Sequence, residues 1–166
     1  ITDGGYLLVI PINHTTCLGV LTESRSKNLD HLKDQLITLL EDEYESSVTC
    51  FEHGIIGQTV NHAHLHIFPA KINLTEQIKV DFPNSKIEVV ENFSAFRKKY
   101  RTFHVPYLLW SSPNNKILVC WDPPAKPEHL RLLTANLLGV SERGSWKDMD
   151  PTLDKRLVKE TIDKLS

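Results

Sequence analysis

The period of the apolar positions changes several times along this chain, and each change predicts an element. An unbroken apolar run from Tyr6 to Ile10, set between Gly4-Gly5 and Pro11, predicts a buried strand. From Asn28 to Tyr44 the period becomes helical. Leu29, Leu32, Leu36, Leu39, Leu40 and Tyr44 share one stripe, with Asn28 as the N-cap. Val48 to Glu52 predicts a second strand. Residues 62–67 then alternate polar and apolar, and Pro69 ends that strand or marks its edge. Downstream, Thr75 to Lys79 predicts a helical turn, Lys86 to Glu91 a strand and Asn92 to Tyr100 a short helix. Val105 to Trp110 and Lys116 to Trp121 predict a β-hairpin whose loop is the five residues 111–115. Glu128 to Leu138 is apolar at helical spacing and stops at Gly139, a C-cap; Thr152 to Leu165 predicts a last amphipathic helix. The mixture predicts an α+β fold with a largely antiparallel sheet. The residue pattern contains no visible internal repeat.

Composition narrows the class without choosing a function. A chain of 166 residues is one domain, or one domain with a tail, and long enough for a core. Its net charge of −2 exerts no general pull toward nucleic acid or membrane, so an anionic ligand would have to be held by local groups. Cys17, Cys50 and Cys120 are odd in number and far apart, which predicts neither a disulfide framework nor a four-ligand zinc site. Thiols of this kind fit a reducing compartment. The apolar stretch Tyr6 to Ile12 is too short to span a bilayer, and no secretory signal is visible. A cytoplasmic location is expected, with the nucleus as the second compartment.

The segment Gly57-Gln58-Thr59-Val60-Asn61-His62-Ala63-His64-Leu65-His66-Ile67-Phe68-Pro69 holds the candidate chemistry. Side chains at i, i+2 and i+4 of a strand share a face, so His62, His64 and His66 form a row while Ala63, Leu65 and Ile67 face a core. Burial accounts for the apolar residues; strand formation asks for no histidines opposite them. A neutral imidazole is a competent nucleophile near pH 7, because an ordinary pKa of ~6.5 leaves most of the ring deprotonated. Three aligned imidazoles could also ligate zinc.

The row and its flanks resemble the histidine-triad superfamily of nucleotide hydrolases and transferases. His62 through Phe68 match its His-φ-His-φ-His-φ-φ signature, where φ is apolar, and Gly57-Gln58-Thr59 matches its Gly-Gln-Ser/Thr lead-in. Gly5 through His14 looks like its strand followed by Pro-x-x-His. The likeness covers residues 5–69. It implies a histidine-triad-like fold with a long helix packed on the sheet. Residues 1–70 would form the core, lacking the N-terminal part of the family's domain. Residues 71–166 would be a hairpin-plus-helices extension packed on the same domain.

The resemblance also implies roles. His64 would attack an α-phosphorus, its other ring nitrogen held as a donor by a backbone carbonyl, and a nucleotidyl-imidazole intermediate would form. His66 would contact phosphate oxygens and the leaving group. His62 and His14 would form a supporting imidazole pair. Gln58 and Thr59 would hydrogen-bond phosphate oxygens, helped by backbone N–H groups near Gly57. Expected partners are a nucleotide substrate and a second copy of the chain, without a membrane. No cofactor or catalytic metal is implied, although a cysteine pair upstream of Ile1 would bring a structural zinc. Histidine at the third triad position favours hydrolysis over the uridylyltransferase branch, which places glutamine there.

Other features fit less closely. The loop at residues 51–56 lacks the asparagine that some members use on the ligand. His31, His53, His104 and His129 are read as structural, and Trp146 as packed under the last helix rather than reaching a partner's site. The run Phe96 to Arg101 interleaves cations with aromatics, but a solvated helix end is the preferred reading over nucleic-acid contact. The C-terminal half loosely resembles CwfJ-type RNA-processing factors, which makes a weakly catalytic binding protein one alternative function; a nucleotidyltransferase or phosphorylase of the same superfamily is the other.

Overall fold

The structure, a computed structural model, describes residues 1–112, 114 and 116–166. It is an α+β fold built on one six-stranded antiparallel sheet: β1 (Leu7–Val9), β2 (Val48–Gly54), β3 (Leu65–Pro69), β4 (Lys86–Val90), β5 (Tyr107–Ser111) and β6 (Ile117–Trp121), in the order β1-β3-β2-β5-β6-β4. Of the hairpin loop expected between β5 and β6, Pro113 and Asn115 lie outside the described residues.

Helices cover both faces. The long α1 (Glu23–Tyr44) and α3 (Phe93–Phe103) pack on one face through Leu29, Ile37, Leu40, Phe93, Phe96 and Tyr100, against Cys50, Leu65, Ile67 and Leu109. On the other face α2 (Leu74–Asp81) and α4 (His129–Leu137) cover Phe51, Phe68, Leu108 and Trp110. A final helix, α5 (Pro151–Leu165), buries Leu157 and Thr161, and the Thr161 hydroxyl accepts the Gly5 N–H at 2.9 Å.

Several sequence expectations shift. Helix α1 begins five residues before Asn28, because the Thr22 hydroxyl caps the Arg25 N–H. Its buried stripe runs Ser26, Leu29, Lys33, Ile37, Leu40, leaving Leu32 and Leu39 as exposed flanks. The first strand is a half-exposed sheet edge rather than a buried strand, with Leu8 and Ile10 open to solvent.

The sheet has an internal symmetry that the residue pattern hides. β1-α1-β2-β3 and β4-α3-β5-β6 are the same arrangement, each with its third strand between the first and second. The registers superpose pair for pair: Leu8↔His66 corresponds to Val89↔Leu118, and Cys50↔Ile67 to Leu109↔Val119. The halves meet at β2 and β5, where Phe51 lies opposite its own equivalent, Trp110. Leu118 stands where the first half has His66, so the second half completes the sheet without repeating the imidazole row.

Candidate active site

Alternation survives from His62 to His66, but strand pairing does not cover all of it. Ala63 and Leu65 are buried in the core while His62 and His64 stand half-buried on the opposite side. The β1–β3 ladder stops at Val9↔Leu65. Two positions on, Pro11 has no N–H to give. The stretch 61–64 is held by other bonds. The Ala63 N–H donates to Thr15 O at 2.6 Å, and His62 donates its Nε2–H to Pro11 O at 2.8 Å. His14 in turn donates Nε2–H to Asn61 O at 2.8 Å, and its ring centroid lies 5.4 Å from that of His62. The two rings clip the loop after β1 to the approach to β3.

His64 and His66 are chemically distinct. His64 Nδ1 lies 2.7 Å from His62 O. A carbonyl can only accept, so Nδ1 carries the proton and Nε2 keeps the lone pair. His66 is 2% exposed, stacks on Phe51 at 4.3 Å and stands edge-on to His64 at 4.8 Å. Burial, with the Arg131 guanidinium adding to it, holds its pKa well below the ordinary imidazole value. It is therefore a neutral ring at working pH.

These rings open on a cavity of about 500 Å³ lined by Leu8, Ile10, Thr59, Val60, His62, His64, His66, Arg131 and Trp146. The wall is mainly apolar, with hydroxyl, imidazole and guanidinium groups converging on one part of it. Four of the predicted site residues, Thr59, His62, His64 and His66, meet here. Three others stand behind the wall. His14 supports His62 from outside. Gln58 donates its amide N–H to Thr16 O at 2.9 Å. Gly57 makes a turn at φ 78°, where a Cβ would strike the His53 ring, and its carbonyl accepts the Glu128 N–H at 2.8 Å.

Three contributors escaped the sequence reading. Tyr6, Arg131 and Trp146 come from the first strand's approach, from α4 and from the loop before α5, and no spacing rule links them. Tyr6 Oη lies 2.7 Å from His66 Nδ1, and Arg131 donates to Tyr6 Oη at 3.4 Å. Trp146 is half-exposed in the cavity wall of its own chain, and its indole N–H donates to Thr59 Oγ1 at 3.3 Å. That corrects the expectation of a tryptophan buried beneath the last helix. Only proximity in the fold could have revealed these three.

His53, structural as read, is buried beside His66, where desolvation lowers its pKa to about 3. The neutral ring accepts the Leu130 N–H at Nε2, 3.0 Å away, and so caps α4, whose N-cap residue Glu128 makes no side-chain cap bond. Among the described residues no group of three or more His, Cys, Asp or Glu is arranged to hold a metal ion, and no helix is long and apolar enough to cross a membrane.

Part of the chain matches a known family. Residues 3–80 match the family model described as "Scavenger mRNA decapping enzyme C-term binding". The chain is also similar to a DUF4931 family protein from Bacillus cereus ATCC 10987, at 14% identity and a TM-score of 0.44, over 99% of this chain and 96% of that one. No curated protein matches the sequence. The matched segment, just under half of the chain, contains the whole imidazole row, its lead-in and His14, and supports the resemblance of this part of the chain to the histidine-triad superfamily.

Proposed function

We propose that the protein is a nucleotide-binding hydrolase that cleaves a nucleoside phosphoramidate or a dinucleoside polyphosphate at the α-phosphorus through a nucleotidyl-His64 intermediate. The observation that carries this reading is the His64 Nδ1–H bond to His62 O, which leaves a lone pair on Nε2 of a ring lining the cavity. Nε2 attacks phosphorus, the P–N bond forms, and the bond to the leaving group breaks with its electron pair. The ring keeps its Nδ1 proton and becomes cationic, a charge that the His62 carbonyl stabilises. Water then attacks phosphorus, the P–N bond breaks, and the electron pair returns to Nε2 as a proton leaves to solvent.

In this reading His66 and Thr59 hold phosphate oxygens, while His62, His14, Gln58 and Gly57 keep the surrounding loops in place. Residues 1–70 supply the reacting groups; residues 71–166 complete the sheet and add the Arg131 and Trp146 wall. No cofactor is needed for these steps. A homodimer built by sheet extension would have to use β1 or β4, since β2 and β5 cover each other. Acceptors other than water would make the same first half-reaction a transfer.

The family match favours the dinucleoside polyphosphate arm, and within it a capped dinucleotide. Release of nucleoside monophosphate from adenosine phosphoramidate, diadenosine tetraphosphate and a methylguanosine-capped dinucleotide tests the proposal. At least one should turn over, and His64→Ala should lower that rate by roughly 10³-fold or more. An His64→Ala protein that keeps the wild-type rate overturns the assignment.

A further inference from the structure

The Tyr6 hydroxyl joins two groups that the reaction scheme leaves unconnected. On one side it lies 2.7 Å from His66 Nδ1. On the other it faces Arg131, which approaches Oη at 3.4 Å and places its guanidinium 5.5 Å from the centre of the Tyr6 ring. Arg131 carries donors and no acceptor, so the phenol oxygen must accept on that side. The phenol's own proton then needs an acceptor. Among the described residues His66 Nδ1 is the one within hydrogen-bond distance. An imidazole that accepts at Nδ1 carries its proton on Nε2. That Nε2 is buried and has no hydrogen-bond partner among the described residues, the condition of a donor held ready for a group that enters the site. Burial also holds the Tyr6 hydroxyl protonated, by raising its pKa above the usual phenol value.

The same guanidinium has a second attachment. Arg131 Nε donates to Gly144 O at 3.0 Å, two residues before Trp146. Trp146 in turn reaches Thr59 across the cavity mouth. The planar fork of arginine can hold two acceptors in fixed relative positions, which a lysine ammonium on its flexible stem does not.

We propose that Tyr6 and Arg131 are positioning residues: together they fix His66 as the Nε2–H tautomer, an N–H donor for a phosphate or leaving-group oxygen, while Arg131 through Gly144 sets the Trp146 wall against Thr59. The two imidazoles of the pair are thereby held in opposite tautomers, His64 with a bare Nε2 to attack and His66 with a protonated Nε2 to stabilise the charge that results. The catalytic consequence rests on the reading of the site as a nucleotidyl-transfer centre; the tautomer itself does not.

Nitrogen-15 NMR of the imidazoles, with His66 assigned by comparison with His66→Gln, tests the assignment in the wild type, Tyr6→Phe and Arg131→Lys. The wild type should show Nε2–H for His66 and Nδ1–H for His64. Tyr6→Phe should move His66 toward a mixture or toward Nδ1–H and leave His64 unchanged. With adenosine phosphoramidate as the probe, Tyr6→Phe should lower kcat roughly 100-fold with little change in KM, whereas Arg131→Lys should raise KM as the Trp146 loop loosens. A wild-type His66 found as Nδ1–H, or a tautomer unmoved by Tyr6→Phe, overturns the proposal. Since NMR needs no turnover, the expected tautomers without hydrolysis of any of the three substrates named above would refute the hydrolase reading and keep the Tyr6–His66 assignment.

Discussion

At the scale of single residues, the site depends on groups that burial keeps neutral. His66 and His53 are uncharged because desolvation disfavours the imidazolium. Glu52 is the acidic counterpart. It lies fully buried in β2, accepts the Leu18 N–H at 2.8 Å and the Tyr107 hydroxyl at 2.6 Å, and its pKa rises from 4.5 to about 8 through desolvation. Those bonds fix the turn after Cys17, next to Thr15 and Thr16, which carry the Ala63 and Gln58 bonds. Because the folded chain holds a proton that the unfolded chain releases near pH 4.5, this carboxyl weakens the fold as pH rises from about 4.5 to 8. The buried histidines work with the opposite sign below their ordinary value of 6.5. They are common to wild type and Glu52→Gln, so the difference between the two isolates Glu52. Urea midpoints should show the wild type losing stability relative to Glu52→Gln with rising pH, by at most about 1.4 kcal/mol per pH unit. Parallel pH profiles would contradict a raised carboxyl pKa.

At the scale of elements, most of the fold was legible where hydrophobic period and caps agreed. β2, α3 and α4 fall within a few residues of their predicted bounds because each has a clear period and an end signal, such as Asn92 capping Ala95 or Gly139 following α4. The imidazole row was legible from spacing alone, although β3 begins only at Leu65. The errors have physical causes. Nothing in the run Tyr6 to Ile10 shows that β1 is a sheet edge, because that depends on which strands lie beside it. The symmetry of the halves was hidden because equivalent positions share burial rather than identity: Phe68 corresponds to Cys120, and Phe51 to Trp110. That last pair is the seam between β2 and β5, and both side chains are fully buried. Trp110→Ala should cost about 3–5 kcal/mol. With the core continuous across the seam, near-UV circular dichroism and tryptophan fluorescence should report a single coincident transition. Two separated transitions would mean that the halves fold independently.

At the scale of the whole molecule, the two halves contribute differently. The first provides the imidazole row, on a half whose sheet edge remains open at β1. The second matches its topology, replaces the buried imidazole with Leu118, and passes the chain on to α4 and the Trp146 loop, which turn back to close the cavity. The side chains around the imidazole row therefore come from both ends of the sequence, which is why a linear motif brought out the row and missed Tyr6, Arg131 and Trp146. The central claim is that His64 becomes covalently nucleotidylated. Intact-protein mass spectrometry tests it most directly, after brief reaction with adenosine phosphoramidate or diadenosine tetraphosphate and a quench without acid. The account predicts a nucleotidyl mass adduct on the wild type that is absent from His64→Ala. Equal adducts on both proteins, or monophosphate release by the wild type with no adduct at any quench time, would contradict it.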